Sequence, residues 1–287
     1  MSIEEPMISE NRGPPAVAAG RENRLRGGAL GILDISASTM ANIGPAMSFF
    51  FGFGLIATTA GLASPLTIVA AAVAIALLGN TMAQFSRAQP STGGFITFVG
   101  KTFGGTSAVA TALIAAIGYI IAMAAVIAIS GGFLSIVLNH YLHWNVPWGI
   151  LTPILTALAV FMMIRGVAVS TKLAGLFFGF EMTVLLVVSI TVLIKNGGHL
   201  SLAPLEPSHI TNGLTGLAAG FPLAIYLFIG WENSAALAEE TGDPRRNVPR
   251  AVFASITIMA VSYVVFAYAT VTGFGYDAGF PTRPSSS

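Results

Sequence analysis

Seven apolar runs divide the chain, at roughly 30–56, 65–86, 107–138, 147–164, 171–194, 213–238 and 251–274. About 20 apolar residues suffice to cross the hydrocarbon core as a helix, so each run predicts one membrane span, the fourth being the shortest. Polar and helix-breaking residues separate the runs at Gly61 to Pro65, Pro90 to Gly94, Asn139 to Pro147 and Asn196 to Thr211. Residues 1–28 are polar, with Pro14-Pro15 and charges of both signs, and predict a disordered tail. No short apolar core of a cleavable leader stands near the start, so the first span is expected to serve as its own insertion signal. Residues 276–287 read as a flexible C-terminal tail.

Two of the runs are interrupted. The first carries Ala41-Asn42-Ile43-Gly44-Pro45-Ala46 at its centre, and a proline there lacks the N–H and crowds the preceding turn. Backbone groups freed at membrane depth must be buried in protein or line a polar cavity. The N-terminus of the following half-helix then aims N–H groups at an anion such as a carboxylate. A kink without functional meaning is the alternative for this run taken alone. The sixth run repeats the theme in Tyr226-Leu227-Phe228-Ile229-Gly230-Trp231-Glu232. Interruptions five spans apart are what inverted repeats place there, and the pairing favours a binding role.

Composition agrees with a lipid-facing exterior. The 287 residues are 54% hydrophobic and 9% charged, with a mean hydropathy of +0.80. A soluble chain carries about 25% charged residues. Without cysteine there is no disulfide framework, thiolate metal site or Cys nucleophile.

With a cytoplasmic N-terminus, eleven Lys and Arg fall on inner segments (Arg12, Arg21, Arg24, Arg26, Arg87, Lys101, Arg165, Lys172, Arg245, Arg246, Arg250) and two on outer ones, Lys195 and Arg283. This bias sets the orientation, and adding or removing one span before residue 245 destroys it. His140, His143, His199 and His209 then lie in outer loops, which argues against an intramembrane histidine relay. Tyr141, Trp144 and Trp148 read as interfacial anchors. Gly131-Gly132 and Gly175 to Gly179 read as helix-packing positions.

Three carboxylates fall inside apolar runs, where an ionisable group is a functional hypothesis by default. Asp34 stands near the inner end of the first span and reads as structural. Glu232 adjoins the second interruption, whose loose N–H groups can satisfy it. Glu181 lies mid-span in Phe178-Gly179-Phe180-Glu181-Met182, as either a neutral acid bonded to a neighbour or a titrating proton carrier.

The segment Phe228-Ile229-Gly230-Trp231-Glu232, then Ala238-Glu239-Glu240-Thr241, then Asp243-Pro244-Arg245-Arg246-Asn247-Val248-Pro249-Arg250-Ala251 resembles the sixth span and following loop of the amino acid–polyamine–organocation permease superfamily. Pro90-Ser91-Thr92-Gly93-Gly94-Phe95 with Phe103-Gly104 is similar to the segment after that family's second span. Arg165-Gly166-Val167 is a weaker match before the fifth. The resemblance covers roughly residues 28–275.

It implies an all-α integral membrane protein of the leucine-transporter-like inverted-repeat fold, residues 29–275 forming the permease domain. It also implies secondary transport of amino acids or related amines by alternating access, in the plasma membrane. Carried over, N–H groups around Ile43, Gly44 and Ala46 meet a substrate carboxylate, with Asn42 as a further donor. Carbonyls near Phe228, Ile229 and Gly230 meet the amine, Tyr226 covers the substrate, and Glu181 and Glu232 are coupling or gating groups.

The chain departs from the family in three ways. Asn42-Ile43-Gly44-Pro45-Ala46 replaces a Gly-Ser-Gly segment, and Pro45 removes one donor. Glu181 stands where many members carry a lysine, so the coupling ion, H+ or Na+, does not transfer. The family has about twelve spans against seven here, which reads as a truncated copy, inactive alone. Expected partners are the substrate, the bilayer, and the missing C-terminal spans or a second protomer; no nucleic-acid partner and no cofactor is expected. An intramembrane enzyme is disfavoured because no span holds a histidine and no HExxH or GxSxG is present. A channel is disfavoured by the nearly uniform apolarity of the spans. The serious rival is a non-transporting membrane fragment with a structural or partner-binding role.

Overall fold

The computed structural model describes residues 30–164 and 167–275, which are helical apart from turns, short loops and one isolated bridge. Both expected tails and the Arg165-Gly166 pair lie outside the described residues. Helix α1 (Ile32–Ile43) starts where the Gly31 N–H donates to Asp34 Oδ2 at 2.9 Å. An acidic residue in a first turn suits the positive helix end, so Asp34 caps α1, a structural role of the kind expected for it. Helix α1 stops at Gly44, whose φ of +61° is left-handed, and α2 (Pro45–Ala60) begins at the proline itself. Proline is well placed as a first helical residue because its missing N–H has no partner to lose.

From Pro45 to Ala88 the chain forms a largely apolar helical stretch of 44 residues, about 66 Å at 1.5 Å per residue and far longer than the hydrocarbon core. A 3-10 turn at Gly61–Ala63 divides it, and α3 (Ser64–Ala88) follows with Pro65 in its first turn. Helix α4 (Gly94–Phe103) was not expected from the sequence. Phe98 is its one buried residue and stacks on Phe85 of α3 with ring centroids 5.0 Å apart. Then come α5 (Gly105–Leu142), α6 (Trp148–Ile164) and α7 (Val167–Lys195). Helix α5 runs four residues past the expected end of its run, through Asn139–Leu142, and closes on His143 in a left-handed conformation.

The sixth run is the most altered. Helix α8 (Gly213–Tyr226) ends early, residues 227–232 are turns, and only the four residues of α9 (Asn233–Ala236) resume the helix. Helix α10 (Pro244–Phe274) then takes the Arg-rich signature as its first turns. Four stretches among the described residues are long and apolar enough to cross a membrane: Pro45–Ala88, Gly105–Leu142, Gly175–Lys195 and Pro244–Phe274. Trp148–Met162 and Gly213–Tyr226 are apolar but shorter.

The core lies where α3, α10, α8, α2 and α1 meet. Phe49 of α2 stacks on Phe53 at 5.0 Å and on Tyr263 of α10 at 6.3 Å, and Phe228 meets Tyr263 edge-on at 5.4 Å. Without a hydrophobic drive between helices in lipid, such interlocking contacts hold them together. Small residues let α3 and α10 close up: a Cβ at Gly79 would lie 2.6 Å from Ile256. Gly131 has the same role between α5 and α6, facing Thr152, but Gly132, Gly175 and Gly179 face open space, and no packing role is visible there. Helix α5 packs mainly along α4 and α6, touches α2 where Phe133 meets Phe51 edge-on at 5.4 Å, and leaves most of its apolar side chains exposed, as a lipid-facing helix requires.

Candidate functional site

The two interruptions touch. Gly230 has φ +104°, and a Cβ built on it would lie 2.8 Å from Asn42 Nδ2 and 3.2 Å from the Asn42 carbonyl oxygen. Only glycine allows both this backbone and this approach. A buried hydrogen bond of 2.8 Å between Thr39 Oγ1 of α1 and Ser234 Oγ of α9 ties the same junction from one side.

At the first interruption most freed groups are already used. The Gly44 N–H donates to the Ala41 carbonyl at 3.2 Å, and the Ser48 N–H donates to the Gly44 carbonyl at 2.9 Å. The Ser48 hydroxyl donates to the Ile43 carbonyl at 2.8 Å. Pro45 has no N–H. The Ala46 N–H, in the first turn of α2, donates to Glu181 Oε2 of α7 at 3.4 Å. That contact is long beside the usual ~2.9 Å, so it is a loose one.

At the second interruption the chain satisfies itself with successive tight turns. Phe228 N–H donates to Ile225, Ile229 to Tyr226, Trp231 to Phe228 and Asn233 to Gly230. The Gly230 N–H is taken by Glu232 Oε2 at 3.1 Å, two residues on. The other Glu232 oxygen accepts from the Tyr119 hydroxyl of α5. Each interruption therefore has one N–H capped by a carboxylate.

Of the expected substrate residues, Ile43, Phe228 and Gly230 are buried, Gly44, Ala46 and Tyr226 are half-buried, and Asn42 and Ile229 are exposed. The structure brings Asn42, Gly230 and Glu232 together at one side of the junction, and Ala46 with Glu181 at another. Tyr119, Thr39, Ser234, Ser48 and Tyr263 were not singled out from sequence. A tyrosine in the middle of an apolar run needs a partner for its hydroxyl, and that signal pointed to Tyr119 and Tyr263.

The signature segments also meet, although they are far apart in sequence. The Thr92 hydroxyl donates to Glu239 Oε1 at 2.8 Å, and Phe95 lies edge-on to Trp231 at 5.9 Å. Leu30 pairs with the strand-like stretch at Thr241, its N–H donating to the Glu240 carbonyl at 3.1 Å. The start of α1, the segment after α3 and the segment after α9 are thus fastened to one another.

The profile of the family described as amino acid permease matches residues 30–277, nearly everything from the first apolar run onward. The chain belongs to the amino acid permease family. This places it in the superfamily that its sixth-span signature resembles, which is a family of transporters and not of enzymes. Among curated relatives, the uncharacterized amino acid permease YecA of Bacillus subtilis (strain 168) is 24% identical over 220 residues, 77% of this chain and 50% of that protein. Cationic amino acid transporter 4 of Mus musculus is 28% identical over 220 residues, 72% of this chain and 34% of that protein. The D-serine/D-alanine/glycine transporter of Escherichia coli (strain K12) is 44% identical over a shorter stretch of 55 residues, 19% of this chain and 12% of that one. The chain thus spans half the length or less of these relatives. Family membership and the apolar helices make this permease a membrane protein.

Proposed function

We propose that this permease carries the substrate site of a secondary transporter for amino acids or related amines, working by alternating access. The observation that carries the reading is the direct contact of the two interruptions at Gly230 and Asn42, each with an N–H held by a carboxylate. Unwound backbone at membrane depth offers donors to a carboxylate and acceptors to an amine within a few ångströms. The relatives' names, which speak of amino acid permeases and transporters, support the same class.

In this reading the permease has seven spans and an inverted-repeat plan, with α1 and α2 forming one interrupted span and α8 and α9 the other. Its N-terminus is cytoplasmic, as the Lys and Arg distribution supports, and it resides in the plasma membrane. Phe228 and Gly230 carbonyls each accept one turn bond and keep a second lone pair for an ammonium group. Tyr226 at the end of α8 covers the substrate. Glu181 and Glu232 gate or couple its passage, with the bilayer and the substrate as partners.

Uptake of a labelled amino acid and amine panel by cells expressing the protein tests this, and with it the expectation that seven spans are inactive alone, which uptake overturns. Accumulation of at least one member, abolished by Gly230→Ala at equal membrane abundance, is the expected result. No uptake of any member by the expressing cells over empty-vector cells contradicts it.

A further inference from the structure

Helices α3 and α10 pack closely, with Gly79 of α3 against Val252 and Ile256 of α10. They run antiparallel, because α3 ends where α10 begins, beside the Thr92–Glu239 hydrogen bond. Arg87 stands in the last turn of α3 and Arg246 in the first turn of α10. Both are exposed, and among the described residues neither has an ion pair or a side-chain hydrogen bond. Glu239, just before α10, accepts from Thr92 instead. Arg246 also sits at the positive end of its helix, where the dipole disfavours a cation. An anion from outside the chain relieves both conditions.

The helical period places the two arginines on one flank. At about 100° per residue, Arg87 lies about 80° round α3 from Gly79, and Arg246 about 80–120° round α10 from Ile256 and Val252, in the same sense. Equal senses on antiparallel helices open to the same side of the pair. The depths match as well: Arg87 is about 12 Å along α3 from Gly79, and Arg246 about 9–15 Å along α10 from Val252 and Ile256. Farther from that end, the same flank carries Val73 and Ala76 of α3 and Phe253, Ala260 and Val264 of α10, all exposed or half-buried. Helix α4 leaves this flank open. It packs through Phe98 on Phe85, which lies about 120° round α3 from Gly79 in the opposite sense.

We propose that the flank between α3 and α10 holds an anionic phospholipid, its phosphate between Arg87 and Arg246 and its acyl chains along the apolar side chains beyond them. Two free cations select the headgroup, and the apolar groove selects a lipid over a soluble anion. Gln84, exposed one turn before Arg87 and without a hydrogen-bond partner among the described residues, offers its amide to the ester carbonyls. The site does not rest on the transporter reading. Only its leaflet, the cytoplasmic one, follows from the orientation given above.

Native mass spectrometry of the protein in detergent tests this, with dioleoyl phosphatidylglycerol set against dioleoyl phosphatidylcholine. The expected result is that phosphatidylglycerol binds about tenfold tighter or more. Arg87→Gln and Arg246→Gln each weaken it about fivefold and the double variant about thirtyfold, with phosphatidylcholine unchanged. Both side chains are exposed, so the replacements leave the core intact, and circular dichroism checks the fold. Lys101→Gln is the control, since it removes one exposed cation from the end of α4, away from this flank. It is expected to change the affinity by less than about twofold. Equal affinities for the two lipids overturn the proposal. A loss in K101Q as large as that in R246Q also overturns it, by reducing the effect to overall charge. Displacement of the lipid by an equal concentration of glycerol 3-phosphate overturns it too, because the groove then plays no part.

Discussion

The first interruption is a single glycine, and the second spans the six residues from Leu227 to Glu232. That difference decides how each one satisfies its backbone. A one-residue break leaves the first-turn donors of α2 facing outward, and the partner for Ala46 comes from Glu181, 135 positions away on another helix. A six-residue break folds back on itself in turns, and its carboxylate, Glu232, is only two positions from the N–H it caps. The long-range cap can leave without refolding anything local, whereas the short-range cap is part of the turn. Two glutamates that look alike in the sequence are thus held in different ways.

The contrast can be attacked at the glycines first. Gly44 and Gly230 both have positive φ, but a Cβ at Gly44 meets nothing within 4 Å, whereas at Gly230 it meets the Asn42 backbone. Gly44→Ala is expected to cost about 1–2 kcal/mol for left-handed backbone alone. Gly230→Ala adds a clash of about 1–3 kcal/mol to the same strain and gives the largest loss of thermal stability of any substitution considered. Equal melting temperatures for the two variants break the comparison.

The caps come next. Glu232→Ala strips the Gly230 N–H and the Tyr119 hydroxyl of their common acceptor and should destabilise by about 1–3 kcal/mol in chemical denaturation. Glu181→Ala removes only a loose contact and is expected to cost less. The reverse order shows that the wrong glutamate has been assigned to structure. Thr39→Val leaves the Ser234 hydroxyl unpaired and should cost about 1 kcal/mol. Tyr119→Phe sharpens the account at the small end, with about 0.5–1.5 kcal/mol expected and Glu232 still capping Gly230. Amide exchange at Gly230 reports whether that cap survives.

Much of this architecture was legible in the pattern of residues. Apolar runs located the long helices, Gly44-Pro45 located the first break to the residue, and Gly230 located the second. The extent of the second break was not legible, because Tyr226-Leu227-Phe228-Ile229 is as apolar as any helix, and only the fold shows the turns that lead to Gly230 beside Asn42. Helix α4 was missed because Pro90 to Gly94 reads as a loop and the ten helical residues after it are too few to register as a span. Its buried Phe98 against Phe85 is a tertiary contact that no local pattern announces. Residues 42–46 and 226–232 marked the two interruptions that touch at the candidate site. Its long-range bonds, Ala46 to Glu181 and Glu232 to Tyr119, join positions more than a hundred residues apart and needed the fold.

The central claim is that the two interruptions form one site through the close approach of Gly230 to Asn42. Uptake of the labelled amino acid and amine panel by Gly230→Ala, set against Gly54→Ala at equal membrane abundance, tests it most directly. Gly54 lies on α2 with nothing within 4 Å of its built Cβ and no positive φ, so alanine fits there. The account predicts that uptake is lost in Gly230→Ala and retained in Gly54→Ala. Full uptake by a correctly inserted Gly230→Ala protein contradicts it.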